Sequence, residues 1–133
     1  MPEDQPKPWA MFWPQPVYAG FPSPGDDYLE PTLDPYDLVV AHPLTTYFLR
    51  VSGDSMTGAC IADQDVVVVD RALTVAHNKI VVARVGEHLV LKRVKVKQRK
   101  IFLHPDPPGY PVIELSKHDE IWGVVTHCIH RLP

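Results

Sequence analysis

Cysteine is scarce in this chain, which has two, Cys60 and Cys128. That is too few for a disulfide framework, and both read as reduced core thiols. Long apolar runs are missing as well. No stretch approaches the roughly 18 residues that a membrane-crossing helix needs. The N-terminus MPEDQPKPWAMFWPQP is acidic and broken by proline, where a secretory leader has a basic start and an apolar centre. A soluble, cytoplasmic protein with no membrane partner is expected. A basic surplus is also absent: 13 Lys and Arg against 16 Asp and Glu leave a formal charge of −3. Neither a broad cationic field nor direct sequence-specific DNA binding is expected, although a local basic patch is compatible with that total. The 133 residues suffice for one compact domain with one core.

Proline is the component present in excess, and it is unevenly placed. Of 15 prolines, eight lie in the first 31 residues, a density that forbids a helix or a central strand. Residues 1–31 therefore read as an extended N-terminal arm, and 32–133 as the folded domain. The arm carries Trp9, Phe12, Trp13 and Tyr18, apolar groups suited either to recognition or to packing on its own domain.

From LDPYDLVVAHP onward, Asp34 is placed to cap a short helix with Pro35 at its first position, ending at His42-Pro43. The remainder is almost all strand. TYFLRVS, DVVVVD, KIVVARV, EHLVLKRVKV, KIFLH and EIWGVVTHCIH are β-branched or aromatic runs separated by turn residues, with a tight reversal at Gly86. Short strands with tight links predict a mostly β, folded-over and mainly antiparallel sheet.

Between two apolar runs, VSGDSMTGACIADQDVVVVD sets Ser55 in a glycine-flanked turn. A serine is a useful nucleophile only if one group takes its proton and others stabilise the oxyanion. Backbone N–H groups of Asp54 and Ser55 are available for the second task. For the first, none of the seven histidines has a distinguishing context. Strand periodicity favours Lys92. In EHLVLKRVKVK it alone shares a face with Val90, Val94 and Val96, while Arg93, Lys95 and Lys97 fall on the other, solvated face. An amine among valines loses hydration, which disfavours its charged form and makes it a base. A solvent-seeking lysine at a strand end is the ordinary alternative.

Other serine-hydrolase patterns do not fit. The chymotrypsin type has two glycines after Gly-Asp-Ser and needs two barrels. The Gly-Asp-Ser-Leu esterases need an α/β fold, and the α/β-hydrolase elbow needs a glycine where Thr57 stands. A metal site at His127, Cys128 and His130 is rejected, because 127 and 130 point to opposite faces of a strand. No cofactor is called for. Asp63, Asp65 and Asp70 read as turn and strand-end residues. The basic series Arg93, Lys95, Lys97, Arg99 and Lys100 reads as a solvated face and hairpin, with contact to DNA or a polymerase as the lesser alternative.

Taken together, VSGDSM, the following GACIADQDVVVVD, and a Lys-Arg pair whose lysine lies 37 residues after Ser55 resemble the Ser-Lys autoproteases of the LexA and UmuD family. AGFPSPGDDYLEPTLD, HPLTTYFLRVSGDSM and GVVTHCIH resemble its UmuD branch, the accessory subunits of error-prone DNA polymerases. The resemblance implies the fold shared by LexA and signal peptidase, Ser55 as nucleophile, Lys92 as its base, and cleavage within the arm at Ala19-Gly20. The UmuD branch typically has cysteine before the glycine; this chain has alanine, as LexA repressors do. The implied partners are a second copy in a homodimer, a UmuC-like Y-family polymerase subunit, and a RecA filament on single-stranded DNA.

A roughly 30-residue proline-rich arm cannot form a helix-turn-helix, so a repressor is not expected. Signal peptidase chemistry would need a membrane anchor. A binding module with a vestigial protease site is the competing expectation.

Overall fold

A computed structural model describes residues 16–21, 34–107 and 109–133. The chain divides into two units, Met1–Val39 and Val40–Pro133. In the first, residues 16–21 are irregular backbone with a bend at residues 19–21 that contains Ala19 and Gly20. Trp9, Phe12 and Trp13 of the predicted arm, and its prolines other than Pro16, lie outside the described residues. The helix α1 spans Pro35–Val39. Asp34 caps it as its residue type predicts, its carboxylate accepting from the Tyr36 N–H at 2.9 Å. The helix is shorter than expected: His42-Pro43 does not end it but opens a separate 3-10 turn, Pro43–Thr45.

The second unit is a seven-stranded sheet: β1 (Thr46–Arg50), β2 (Val66–Asp70), β3 (Ile80–Val85), β4 (His88–Lys97), β5 (Lys100–His104), β6 (Ile113–Glu114) and β7 (Glu120–Ile129). Their spatial order is β1-β2-β7-β3-β4-β5-β6, and every pairing is antiparallel. All six expected strands are present. The short β6 was not anticipated, because two residues between Pro111 and Ser116 carry no periodicity to read.

Valine dominates the centre because this sheet is buried on both sides. On one face Val67, Val69 and Val82 pack with Met56 and Ile61; on the other, Val81, Ala83 and Val94 pack with Leu103 and Val124. Adjacent residues of β3 thus enter opposite clusters, which is why VVVV in β2 and IVV in β3 read as unbroken apolar runs. Each fully buried valine contributes about 1.5–3 kcal/mol of transfer free energy.

Strand β7 carries two bulges. Val68 pairs with His127 and Val69 with Val125, leaving Thr126 as the extra residue; Val82 pairs with Gly123 and Ala83 with Ile121, leaving Trp122. At Gly123 a Cβ would lie 2.5 Å from Val69 Cγ1, so a larger residue there would force the side chain of the neighbouring strand β2 to shift. Trp122 turns its ring to Tyr47, with centroids 5.2 Å apart, and lies under the Arg71 guanidinium at 4.5 Å.

The expectation of two core thiols is corrected. Cys128 is partly buried, but Cys60 is exposed, because it closes the turn Thr57–Ala59 in a left-handed conformation with φ 63°.

Candidate active site

Ser55 lies in the connection that leaves β1. Val51 stays tied to the loop before β2 by two backbone bonds, Val51 N–H to Asp65 C=O at 2.7 Å and Gln64 N–H to Val51 C=O at 2.8 Å. The chain then reverses through Gly53, whose φ of 109° is rarely open to other residues and whose N–H is held by the Asp63 carboxylate at 2.8 Å. Met56, 2% exposed, inserts into the core directly after Ser55 and fixes the serine at the rim. The N–H groups of Asp54, Ser55 and Met56 donate to no protein acceptor among the described residues.

Lys92 arrives from β4. It pairs with Val81 across the strand and has Val90 and Val94 as its same-face neighbours, the placement that alternation predicts. Its Nζ lies 3.2 Å from Ser55 Oγ. Burial pushes the ammonium pKa down, and no carboxylate lies within ion-pair reach of it among the described residues. Together they set an amine whose charged form is disfavoured by burial at hydrogen-bond distance from a hydroxyl, with the N–H groups of Asp54, Ser55 and Met56 beside them.

Both open into a cavity of about 340 Å³ lined by Leu49, Val51, Gly53, Met56, Val67, Val82 and Leu89–Lys92, among others. Its β4 wall is half a sheet edge. Residues Leu89–Lys92 pair with β3 on one side, whereas pairing with β5 begins at Arg93. The other side of Leu89–Lys92 has no strand partner among the described residues, so an extended peptide can add there by backbone hydrogen bonds while its side chains enter the apolar cavity.

One segment was missed by the sequence reading. The Asp106 N–H donates to the Ser55 carbonyl at 2.8 Å, and the Asp106 carbonyl accepts from Gly58 N–H at 2.7 Å. Tyr110 Oη donates to the Asp54 carboxylate at 2.9 Å, a bond that raises the tyrosine pKa. Arg93 is not solvated as expected. Its guanidinium donates to the Asp106 carboxylate at 3.2 Å and to the Asn78 carbonyl at 2.8 Å, so it ties β4 to the loop behind the serine. Only the proline-rich spelling of HPDPPGYP hinted at a rigid loop there.

Two histidines also have a context the sequence hid. His42 bonds the buried Asp70 at 2.5 Å and His130 the buried Asp65 at 2.6 Å. His127 instead faces Thr126, and Cys128 Sγ donates to Asp65 at 3.3 Å. No helix among the described residues is long and apolar enough to cross a membrane.

The Peptidase S24-like family matches residues 12–126. The chain belongs to the Peptidase S24-like family. Protein MucA of Salmonella typhimurium is 43% identical over 124 residues, covering 92% of this chain and 85% of that protein. Protein ImpA of Shigella flexneri is 41% identical over 115 residues, 85% of this chain and 78% of its own length. The LexA repressor of Cellvibrio japonicus (strain Ueda107) is 39% identical over 84 residues, 62% of this chain and 42% of the repressor. The S24 assignment agrees with the resemblance to the LexA and UmuD group, and the antiparallel sheet, with one short α-helix among the described residues, is consistent with that fold.

Proposed function

We propose that this S24 protein is a self-cleaving serine endopeptidase that removes its own N-terminal arm at Ala19-Gly20. The observation that carries the reading is the 3.2 Å contact between Ser55 Oγ and a partly desolvated Lys92 amine that, among the described residues, no carboxylate holds in its charged form. Neutral Lys92 accepts the Ser55 proton as Oγ bonds to the Ala19 carbonyl carbon. The amides of Asp54 and Ser55 hold the oxyanion. Protonated Lys92 returns its proton to the Gly20 nitrogen as the Ala19-Gly20 bond breaks, and water then hydrolyses the acyl ester, regenerating the serine. Small residues on both sides of the bond suit an extended segment added along Leu89–Lys92, the edge without a strand partner on that side among the described residues.

The biological setting is that of the UmuD branch. The protein acts in the SOS response to DNA damage as a cytoplasmic homodimer. A RecA filament on single-stranded DNA favours the competent arrangement of arm and dyad, a population shift. The trimmed form serves as accessory subunit of a UmuC-like, Y-family translesion polymerase. The membership in the S24 family and the identity to MucA and ImpA support this reading.

The test is incubation of the purified full chain across neutral to alkaline pH, with intact mass reporting loss of residues 1–19. Cleavage is expected to accelerate with pH and to vanish in Ser55→Ala and in Lys92→Ala. Lys92→Arg should also fail, because guanidinium stays protonated. A chain that stays whole at every pH, with and without the RecA filament, would make it a binding module with a vestigial site.

A further inference from the structure

Six of the 13 lysines and arginines fall between Lys92 and Lys100, a stretch without a single acidic residue in a chain of net charge −3. The fold engages two of them elsewhere: Lys92 turns to Ser55 and Arg93 to Asp106. The others stay together at the outer end of the β4–β5 hairpin. Lys95 is opposite Phe102, and Lys97 is opposite Lys100, so these four share one face. Val94 and Leu103, on the reverse face, are fully buried, which leaves the lysine face turned outward. Lys97, Arg99 and Lys100 are exposed, and Phe102 is partly buried among them.

Little on this face neutralises the charge. Glu114 sits opposite Phe102 and 3.5 Å from Lys100. Among the described residues, no carboxylate lies within ion-pair distance of Lys95, Lys97 or Arg99. Lys95 is held by the neutral side chain of Asn78. The turn itself is unusual. Gln98 and Arg99 have φ of 51° and 64°, the conformation in which hairpins prefer Asn-Gly, and Arg99 sets a cation at the tip.

We propose that this hairpin face binds single-stranded nucleic acid without sequence preference, with Lys95, Lys97, Arg99 and Lys100 along the phosphates and Phe102 as a stacking surface for a base. A row of cations is complementary to a polyanion. The aromatic ring among them favours one with exposed flat bases over an acidic protein segment, which has nothing to stack, and over a duplex, whose bases are already stacked. The surface is separate from the Ser55 cavity, so the inference stands independently of the proposed proteolysis.

The test is fluorescence anisotropy of a labelled, mixed-sequence single-stranded 20-mer titrated with the full chain carrying Ser55→Ala. Four phosphate contacts give a slope of about −3 in log affinity against log salt, so binding should weaken roughly 50-fold from 50 to 200 mM. The double variant Lys97→Gln/Arg99→Gln, checked for unchanged melting, should bind at least tenfold more weakly at 50 mM with about half the slope. Phe102→Leu keeps apolar volume but loses the stack, and should weaken binding about fivefold or more. With Ser55 restored, the double variant should still process its arm. Absence of binding at 50 mM, or equal binding by the double variant, overturns the proposal. So does equal competition by polyglutamate with Phe102→Leu unaffected, which would point to an acidic protein partner.

Discussion

Asp106 holds Ser55 from behind: its N–H donates to the serine's own carbonyl at 2.8 Å while its carboxylate takes the guanidinium of Arg93, the residue next to Lys92 in β4. Ser55 and Lys92 are thus linked twice, once directly through Oγ and Nζ and once through this backbone and ion-pair path. Asp106→Ala removes the ion pair and keeps the backbone bond. Self-processing should slow about three- to tenfold, corresponding to the ~1 kcal/mol of a partly exposed charged hydrogen bond. The pH profile should be unmoved, as measured by single-turnover cleavage. A rate equal to that of the parent would show that the path does not position the serine.

Gly58 is where this loop comes closest. A Cβ there would meet Asp106 Oδ1 at 2.6 Å and the Asp106 carbonyl carbon at 2.9 Å. Gly58→Ala should cost about 1–3 kcal/mol through the forced shift. Differential scanning calorimetry should show the melting temperature down by roughly 5 °C or more. Cleavage should slow with it, because the shift moves the serine turn.

Lys92 links stability to pH. Burial lowers its folded pKa below the ordinary 10.5, so between the two values the unfolded chain binds more protons and stability rises with pH. Below the folded pKa the desolvated ammonium is a standing cost. Lys92→Met should therefore raise the melting temperature at pH 7, and the gain should shrink as pH climbs toward 10.5. In the parent, the cleavage rate should reach its plateau below that same value. A gain that is constant with pH would separate the effect from the amine's ionisation.

Asp65 and Asp70, buried at the two ends of β2, behave in the opposite sense. Hydrogen bonds from the Ala62 N–H and then His130 hold the Asp65 pKa down, and a bond from His42 does the same for Asp70. Their contribution is complete above the ordinary carboxylate range and is lost as pH falls through the depressed folded values. Urea midpoints of the parent should thus fall steeply below about pH 4. The double variant Asp65→Asn/Asp70→Asn should start lower at pH 7 and change less on acidification.

The two thiols should separate cleanly. Burial and the Asp65 carboxylate push Cys128 up to about 11, which leaves it protonated at pH 8, while Cys60 is exposed. A disulfide-exchange reagent should titrate Cys60 promptly in the native protein and reach Cys128 only in denaturant.

Local chemistry determined much of this protein by itself. β-branched runs and turn residues are enough to set six strands and the cap at Asp34, because both follow from backbone sterics over a few residues. Alternation also placed Lys92 among valines, since side-chain direction in a strand has a period of two. What alternation cannot supply is distance across the fold. That the amine ends 3.2 Å from a hydroxyl 37 positions earlier, that Arg93 is recruited to Asp106, and that His42 and His130 reach buried carboxylates were decided by the order β1-β2-β7-β3-β4 and the bulges in β7. These contacts join segments whose spacing in the chain carries no information about proximity, and only the closed packing of two apolar clusters on one bent sheet brings them together.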